Sequence, residues 1–205
     1  MIEGPRPYRK YRVRFLRLAM LPVVLIPLVT DTSLPKHPLV DIAMESAGYL
    51  LLLAGVGLRL WSTLHIGARK SRQLIRQGPY SICRNPLYLG TCTIITGVAL
   101  LFGNPIMLLA VLLLFVPATL LTIKMEEAHL ERIFGEEYRD YRRQVPRFWP
   151  SLRRYAGLDM LEVPSRIIAR AAIETSGVLL VPLAEDVIQV LHSNNWLPAL
   201  WALRF

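Results

Sequence analysis

Acidic residues are scarce in this chain: 15 Asp and Glu stand against 24 Lys and Arg, a formal net charge of +9 over 205 residues. Charged residues of both signs make up only 19%, too few to clothe a soluble globule of this size. Cysteine is nearly absent. Cys83 and Cys92 alone exclude a disulfide scaffold and a thiolate metal site. His37, His65, His129 and His192 fall at no metal-ligand spacing, so no bound metal is expected. No small-residue cleavage site closes the first apolar run, although Arg6, Arg9, Lys10, Arg12, Arg14 and Arg17 lead into it. That run therefore reads as a retained span and not as a signal peptide.

What the chain has instead is apolar surface, with hydrophobic residues at 53%. Nucleic-acid binders are basic but rarely this apolar, so no nucleic-acid partner is expected. The simpler partner for the positive charge is an anionic membrane leaflet. Four apolar stretches, at 15–29, 44–60, 87–102 and 106–123, predict an all-α polytopic membrane protein with about four spans. The loop at 59–84 carries six basic residues and no acid, whereas Asp31, Lys36 and Asp41 nearly balance between the first two spans. The positive-inside rule then places the N-terminus, the 59–84 loop and everything after Lys124 in the cytosol. Gly103-Asn104-Pro105 is a turn sequence that folds the third and fourth spans into an antiparallel hairpin. Pro22, Pro27 and Pro117 lie inside spans and predict kinks. The segment 125–144 reads as a cytosolic helix, with Leu130, Ile133 and Phe134 on one face and Gly135 as its stop or bend. The division expected is a transmembrane core at 1–150 and an amphipathic extension at 151–205. Trp196 and Trp201 suit a headgroup layer, which favours an extension lying in the interface over a fifth span.

Two clusters fall on the same side of this topology. The first is the run GPYSICRNPLYLG from Gly78 to Gly90. Asn85 and Pro86 suit the cap and first turn of a helix, which accounts for part of the run but not for Tyr80, Arg84 and Tyr88 around it. Free amides at a helix start attract carboxylates, an arginine can grip one with two prongs, and aromatic faces attract a sulfonium-type cation. A zwitterionic, cationic nucleoside such as S-adenosylmethionine fits all three. The second cluster is Glu126-Glu127-Ala128-His129-Leu130. Paired glutamates at a membrane edge can be merely solvated, or one can accept from ribose hydroxyls or an ammonium.

In order and spacing, GPYSICRNPLYLG, then GNP, then EEAHLERIFGEEYRDYRRQVPRFWP resemble the C-terminal core of the isoprenylcysteine carboxyl methyltransferases and the related phospholipid methyltransferases. The resemblance spans about 57–150. It implies an integral membrane, S-adenosylmethionine-dependent methyltransferase. It also implies a cofactor pocket built from Arg84, Asn85, Pro86, Tyr88, Glu126, Glu127 and Leu130, with Tyr80 beside them. Arg59, with Gly67 in step behind it, matches the arginine that helps hold the acceptor. Asn85 stands where the better-known eukaryotic members have His, and Thr122 where they have Arg.

A carboxylate acceptor is already a nucleophile and needs only a cation such as Arg59 to place it. A thiol or an amine would call for a base, and only the glutamates or His129 could serve. The expected reaction is therefore O-methylation of a lipophilic, isoprenylcysteine-like carboxylate arriving from the bilayer. Methylation of a phospholipid amine or a small thiol is the enzymatic alternative. An NADPH-dependent membrane reductase and a non-catalytic scaffold are the alternatives of other classes. The sequence leaves the oligomeric state open.

Overall fold

A computed structural model describes residues 6–31, 38–67, 73–157, 162–194, 196–197 and 201–202. Lys36 and the basic residues Arg69, Lys70 and Arg72 lie outside them. The elements are α1 (Arg6–Val29), α2 (Pro38–Gly67), the short α3 (Pro79–Ile82), α4 (Pro86–Leu101), α5 (Pro105–Ala110), α6 (Val116–Phe134), α7 (Glu136–Gln144), α8 (Ser165–Leu179) and α9 (Val181–Ser193). A π-helical turn, Val111–Phe115, joins α5 to α6 into one rod, Pro105–Phe134. Pro117 follows that turn. It has no N–H to give, and its ring crowds the carbonyl four residues back, so the ladder widens there. Beyond the helices, the described residues pair only at Thr30–Asp31 with Trp201–Ala202, two residues a side. The fold is all-α.

Glycine sets the closest contact in the bundle. A Cβ on Gly48 would stand 2.9 Å from the Gly97 carbonyl, and one on Gly55 2.8 Å from that of Gly90. The same obstruction holds in reverse for Gly90 and Gly97. Two antiparallel helices, α2 and α4, thus touch backbone to backbone at points two turns apart, as close helix pairs in lipid do. A second core forms where Val23 of α1 meets Ile95 and Ala99 of α4 and Met107, Val111 and Phe115 of the long rod. At the turn between α4 and α5, Gly103 takes φ 55°. Asn104 caps α5 by accepting from the Met107 amide (3.0 Å), and its Nδ2 donates to Thr30 Oγ1 at the end of α1 (2.7 Å). The hairpin expected from Gly-Asn-Pro is present.

By length and composition, α2, the rod Pro105–Phe134 and the rod Ser165–Ser193 can each cross a membrane, and α4 is a shorter apolar helix of 16 residues. Glu126 and Glu127 come about 33 Å along the axis from Pro105, where a rod leaves a hydrocarbon core about 30 Å thick.

The first C-terminal helix, α8, packs lengthwise on the bundle. Ile167 fills the space over Gly67, Arg59 pairs with Glu174, and Val178 packs with Val56 and Ile94. These three contacts step backward along α2 as they advance along α8, so the two helices run antiparallel side by side. The paired strand at Trp201–Ala202 then meets Thr30–Asp31 at the opposite end of the bundle. Ala171 is the buried residue of α8, and it lines a groove shared with Val56 and Leu60 of α2.

Candidate functional site

The start of α4 and the end of the long rod meet in one polar cluster. Glu127 is its centre, buried among three donors. Its Oε1 accepts from Asn85 Nδ2 (3.0 Å), Arg84 Nε (3.2 Å) and Arg147 Nε (3.3 Å), and its Oε2 from Arg147 Nη2 (2.6 Å). Side chains of Arg84 and Glu127 are only 9% and 6% exposed, whereas Arg147 is 38% exposed, so the cluster opens to solvent on one side only. Burial of this depth is tolerable because each charge has a partner.

Arg84 does more than neutralise. Its Nη1 donates to the Arg142 and Val145 carbonyls (2.7 and 3.2 Å) at the C-terminal end of α7, where the helix dipole favours a cation. The two-pronged carboxylate grip expected of Arg84 is therefore already filled, by Glu127 and these carbonyls. Asn85 likewise differs from expectation. It holds the cap position of α4, but its side chain makes no capping bond and turns to Glu127. The first turn of α4 is left without a side-chain cap, with Pro86 supplying the preset φ. Leu130 packs with Phe134 against Tyr138, Tyr141 and Val145, a structural contact.

Tyr88 and Tyr80 form the second half of the cluster. The Tyr88 hydroxyl donates to Glu126 Oε2 (2.6 Å), so the adjacent glutamates have separate roles: Glu127 ties the backbone of the site together, and Glu126 faces the tyrosines. The Tyr80 phenol oxygen is buried and has no hydrogen-bond partner among the described residues. Burial, and then the nearby Tyr141, Glu126, Cys83 and Tyr88, push its pKa well above the ordinary tyrosine value of 10.0. It is therefore a neutral phenol with an unsatisfied proton, next to an acidic side chain and an uncapped helix start. Burial pushes the Cys83 thiol up to about 11, so it is no thiolate nucleophile at neutral pH.

The chain beyond α7 holds this arrangement from behind. The Tyr141 hydroxyl donates to the Tyr80 carbonyl (2.7 Å), the Arg84 amide to the Pro146 carbonyl (2.9 Å) and the Ser151 amide to the Ile82 carbonyl (3.0 Å). Gly78 donates its amide to the Ala156 carbonyl (2.8 Å). Gly78 takes φ +61°, and a Cβ on it would stand 2.1 Å from His65 Nε2, so no other residue fits between α2 and α3. Sequence reasoning missed Arg147, Tyr141 and His65. Arg147 lies inside the quoted RRQVPRFWP run, but its pairing with a glutamate 20 positions earlier leaves no local periodic signal.

Arg59, on α2, stands apart from the tyrosines but reaches the same stretch of α4. Its Nη1 donates to Thr91 Oγ1 (2.6 Å), one turn along from Tyr88. Its Nη2 lies 3.6 Å from Glu174 Oε2 on α8. The two side chains edge a groove walled by Val56, Leu60, Ile94, Ala171 and Val178. Thr122, where the eukaryotic enzymes carry Arg, is fully buried and donates to the Ala118 carbonyl (2.8 Å), so a cation has no room there.

Residues 44–137 match the phospholipid methyltransferase family. A nickel-cobalt-cadmium resistance protein, NccN, of Alcaligenes xylosoxydans xylosoxydans is 30% identical over 202 residues, covering 96% of this chain and 93% of its own. The chain belongs to the phospholipid methyltransferase family. A cobalt-zinc-cadmium resistance protein, CzcN, of Cupriavidus metallidurans is 36% identical over 105 residues, 51% of this chain and 48% of its own. No solved structure matches. The family match takes in α2 from Met44, the α3–α4 motif and the acidic end of the long rod, while Arg147 and the α7 carbonyls that complete the polar cluster lie beyond it. Membership gives the coarse activity, a membrane methyltransferase.

Proposed function

We propose that this protein transfers a methyl group from S-adenosylmethionine to the carboxylate of a lipophilic acceptor drawn from the bilayer, at the cytosolic end of the bundle. The observation that carries the first half is the unpartnered Tyr80 phenol beside the Tyr88–Glu126 pair. An orphaned buried hydroxyl needs a partner, and a ligand rich in acceptors and carrying positive charge supplies one. Glu126 and the two tyrosine faces suit an ammonium, a ribose and a sulfonium. The uncapped start of α4 suits a carboxylate. In the bound state the cofactor supplies an electrophilic methyl on a sulfonium. Glu127, clamped by Arg84, Asn85 and Arg147, keeps α4, the rod and the post-α7 chain in register and does not touch the ligand.

Arg59 supports the second half. A carboxylate needs no base, so the enzyme has only to hold it in line with the S–CH3 bond in a dry site. Arg59, tethered to Thr91 at the mouth of an apolar groove, can orient an anionic head while the apolar body remains among Val56, Leu60 and Ile94. The similar proteins are named for nickel, cobalt, zinc and cadmium resistance. Those names belong to the two similar proteins, and the proposed activity rests on the polar cluster and on the family match.

The test is incubation of the purified protein with methyl-labelled S-adenosylmethionine and total membrane lipid. Label in an apolar product released by mild base marks a methyl ester and supports the reading. Base-stable label in an amine or thioether overturns the carboxylate acceptor.

A further inference from the structure

The guanidinium expected to hold the acceptor already faces a carboxylate, and that carboxylate comes from the chain itself. Glu174 Oε2 lies 3.6 Å from Arg59 Nη2, while Glu174 Oε1 accepts from Arg170 Nε at 3.0 Å, one turn back on α8. Neither partner is locked in by burial, since the Arg59 and Glu174 side chains are 35% and 41% exposed. If Glu174 withdraws, both groups keep a partner: Arg59 retains Thr91 and Glu174 retains Arg170. The helix that carries Glu174 is loosely held. Ala171 is the one fully buried residue described on α8, and none is described on α9. Yet α8 closes one wall of the groove, with Ala171 and Val178 facing Val56, Leu60 and Ile94.

We propose that Glu174 is a built-in occupant of the acceptor site. It supplies Arg59 with a carboxylate until an amphiphile bearing its own carboxylate displaces it, and α8 is the gate through which that amphiphile passes. The inference rests on Arg59 being the acceptor-binding cation. The occupant is one carboxylate on an apolar body, because a carboxylate is what the guanidinium receives here and the walls beyond it are mostly aliphatic, with Thr63 and Thr175 among them. A cationic head would be repelled by Arg59 and would have to compete with Arg170 for Glu174. Glu174 therefore sets specificity. It raises the threshold for weak anions when no acceptor is present.

The experiment uses the full chain in lipid nanodiscs with N-acetyl-S-farnesylcysteine, a single carboxylate on an isoprenoid body, as the probe. Spin labels at Gly57→Cys, where a side chain meets open space, and at the exposed Ile173→Cys, in a Cys92→Ala background, report the α2–α8 separation. The expected result is a longer distance component at saturating probe. Glu174→Gln should also bind the probe about two- to fivefold more tightly, the range for losing one exposed ion pair. Unchanged distance, or equal probe affinity for the two proteins, overturns the gate, and no binding to either overturns the acceptor reading as well. A probe that displaces α8 but takes no label from S-adenosylmethionine leaves the gate standing and overturns carboxyl methylation. A probe that is methylated with α8 unmoved does the converse.

Discussion

Replacing Tyr80 with Phe removes one oxygen and leaves the ring, and its effect should change sign with the ligand. Without ligand, the phenol is buried with no partner among the described residues. A desolvated hydroxyl left unpaired costs about 1–3 kcal/mol. The ring as a whole is only partly buried, so the low end applies, and Tyr80→Phe should stabilise the ligand-free protein by about 1 kcal/mol. With S-adenosylmethionine bound as proposed, the phenol should gain a hydrogen bond to a charged or strongly polar group. Losing that bond should weaken affinity about tenfold. At a ligand concentration of about 100 times the wild-type Kd, ligand-induced stabilisation should drop from about 2.7 to about 1.4 kcal/mol. Burial raises the phenol's pKa, so it stays protonated from pH 6 to 9 and the affinity ratio should be flat across that range. Denaturant unfolding in detergent with and without ligand, together with calorimetric titration, reads each quantity. A variant less stable without ligand and unchanged in affinity would refute the assignment of Tyr80 to the pocket.

The two glutamates should separate. Glu127→Ala strands the nearly buried Arg84 and should cost about 3 kcal/mol of stability, the low end for breaking a buried pair because Arg147 keeps water contact. Glu126→Gln should leave unfolding nearly unchanged and weaken S-adenosylmethionine binding, and equal stability losses in the two would contradict the division. Gly55→Ala places a methyl 2.8 Å from the Gly90 carbonyl and should lower stability by about 1–3 kcal/mol, read as a lower thermal midpoint in detergent. Gly57→Ala, which meets open space, should not. Cys83, with its thiol pushed up to about 11, should resist iodoacetamide at pH 8 in the folded protein and react once denatured. Rapid labelling of the folded form would show that the motif is open at its back.

The apolar runs were legible because lipid demands long uniform stretches: the first two fall within α1 and α2, the third coincides with α4 to within a residue, and the fourth lies in the rod built from α5, the π-helical turn and α6. The juxtaposition of the Gly78–Gly90 run with Glu126-Glu127 was legible because the Gly-Asn-Pro turn folds one back on the other. The division of labour inside the cluster was not. Glu126 and Glu127 are neighbours in sequence, and only their rotation about the helix axis gives one Tyr88 and the other two arginines. Arg84 looked like a ligand grip because a sequence does not reveal that the α7 carbonyls arrive to claim it. The Gly48–Gly55 and Gly90–Gly97 spacings, seven residues each, were a readable sign of close helix contact. The course of α8 along α2 was not readable, since its apolar face suits a membrane surface and a neighbouring helix equally well.

Parallel calorimetric titration of the detergent-purified chain with S-adenosylmethionine and with NADPH bears most directly on the cofactor site proposed where α4 begins and α6 ends. Binding of S-adenosylmethionine alone, weakened by Tyr80→Phe and by Glu126→Gln, is the expected result. Binding of NADPH alone, or of neither ligand, would contradict it.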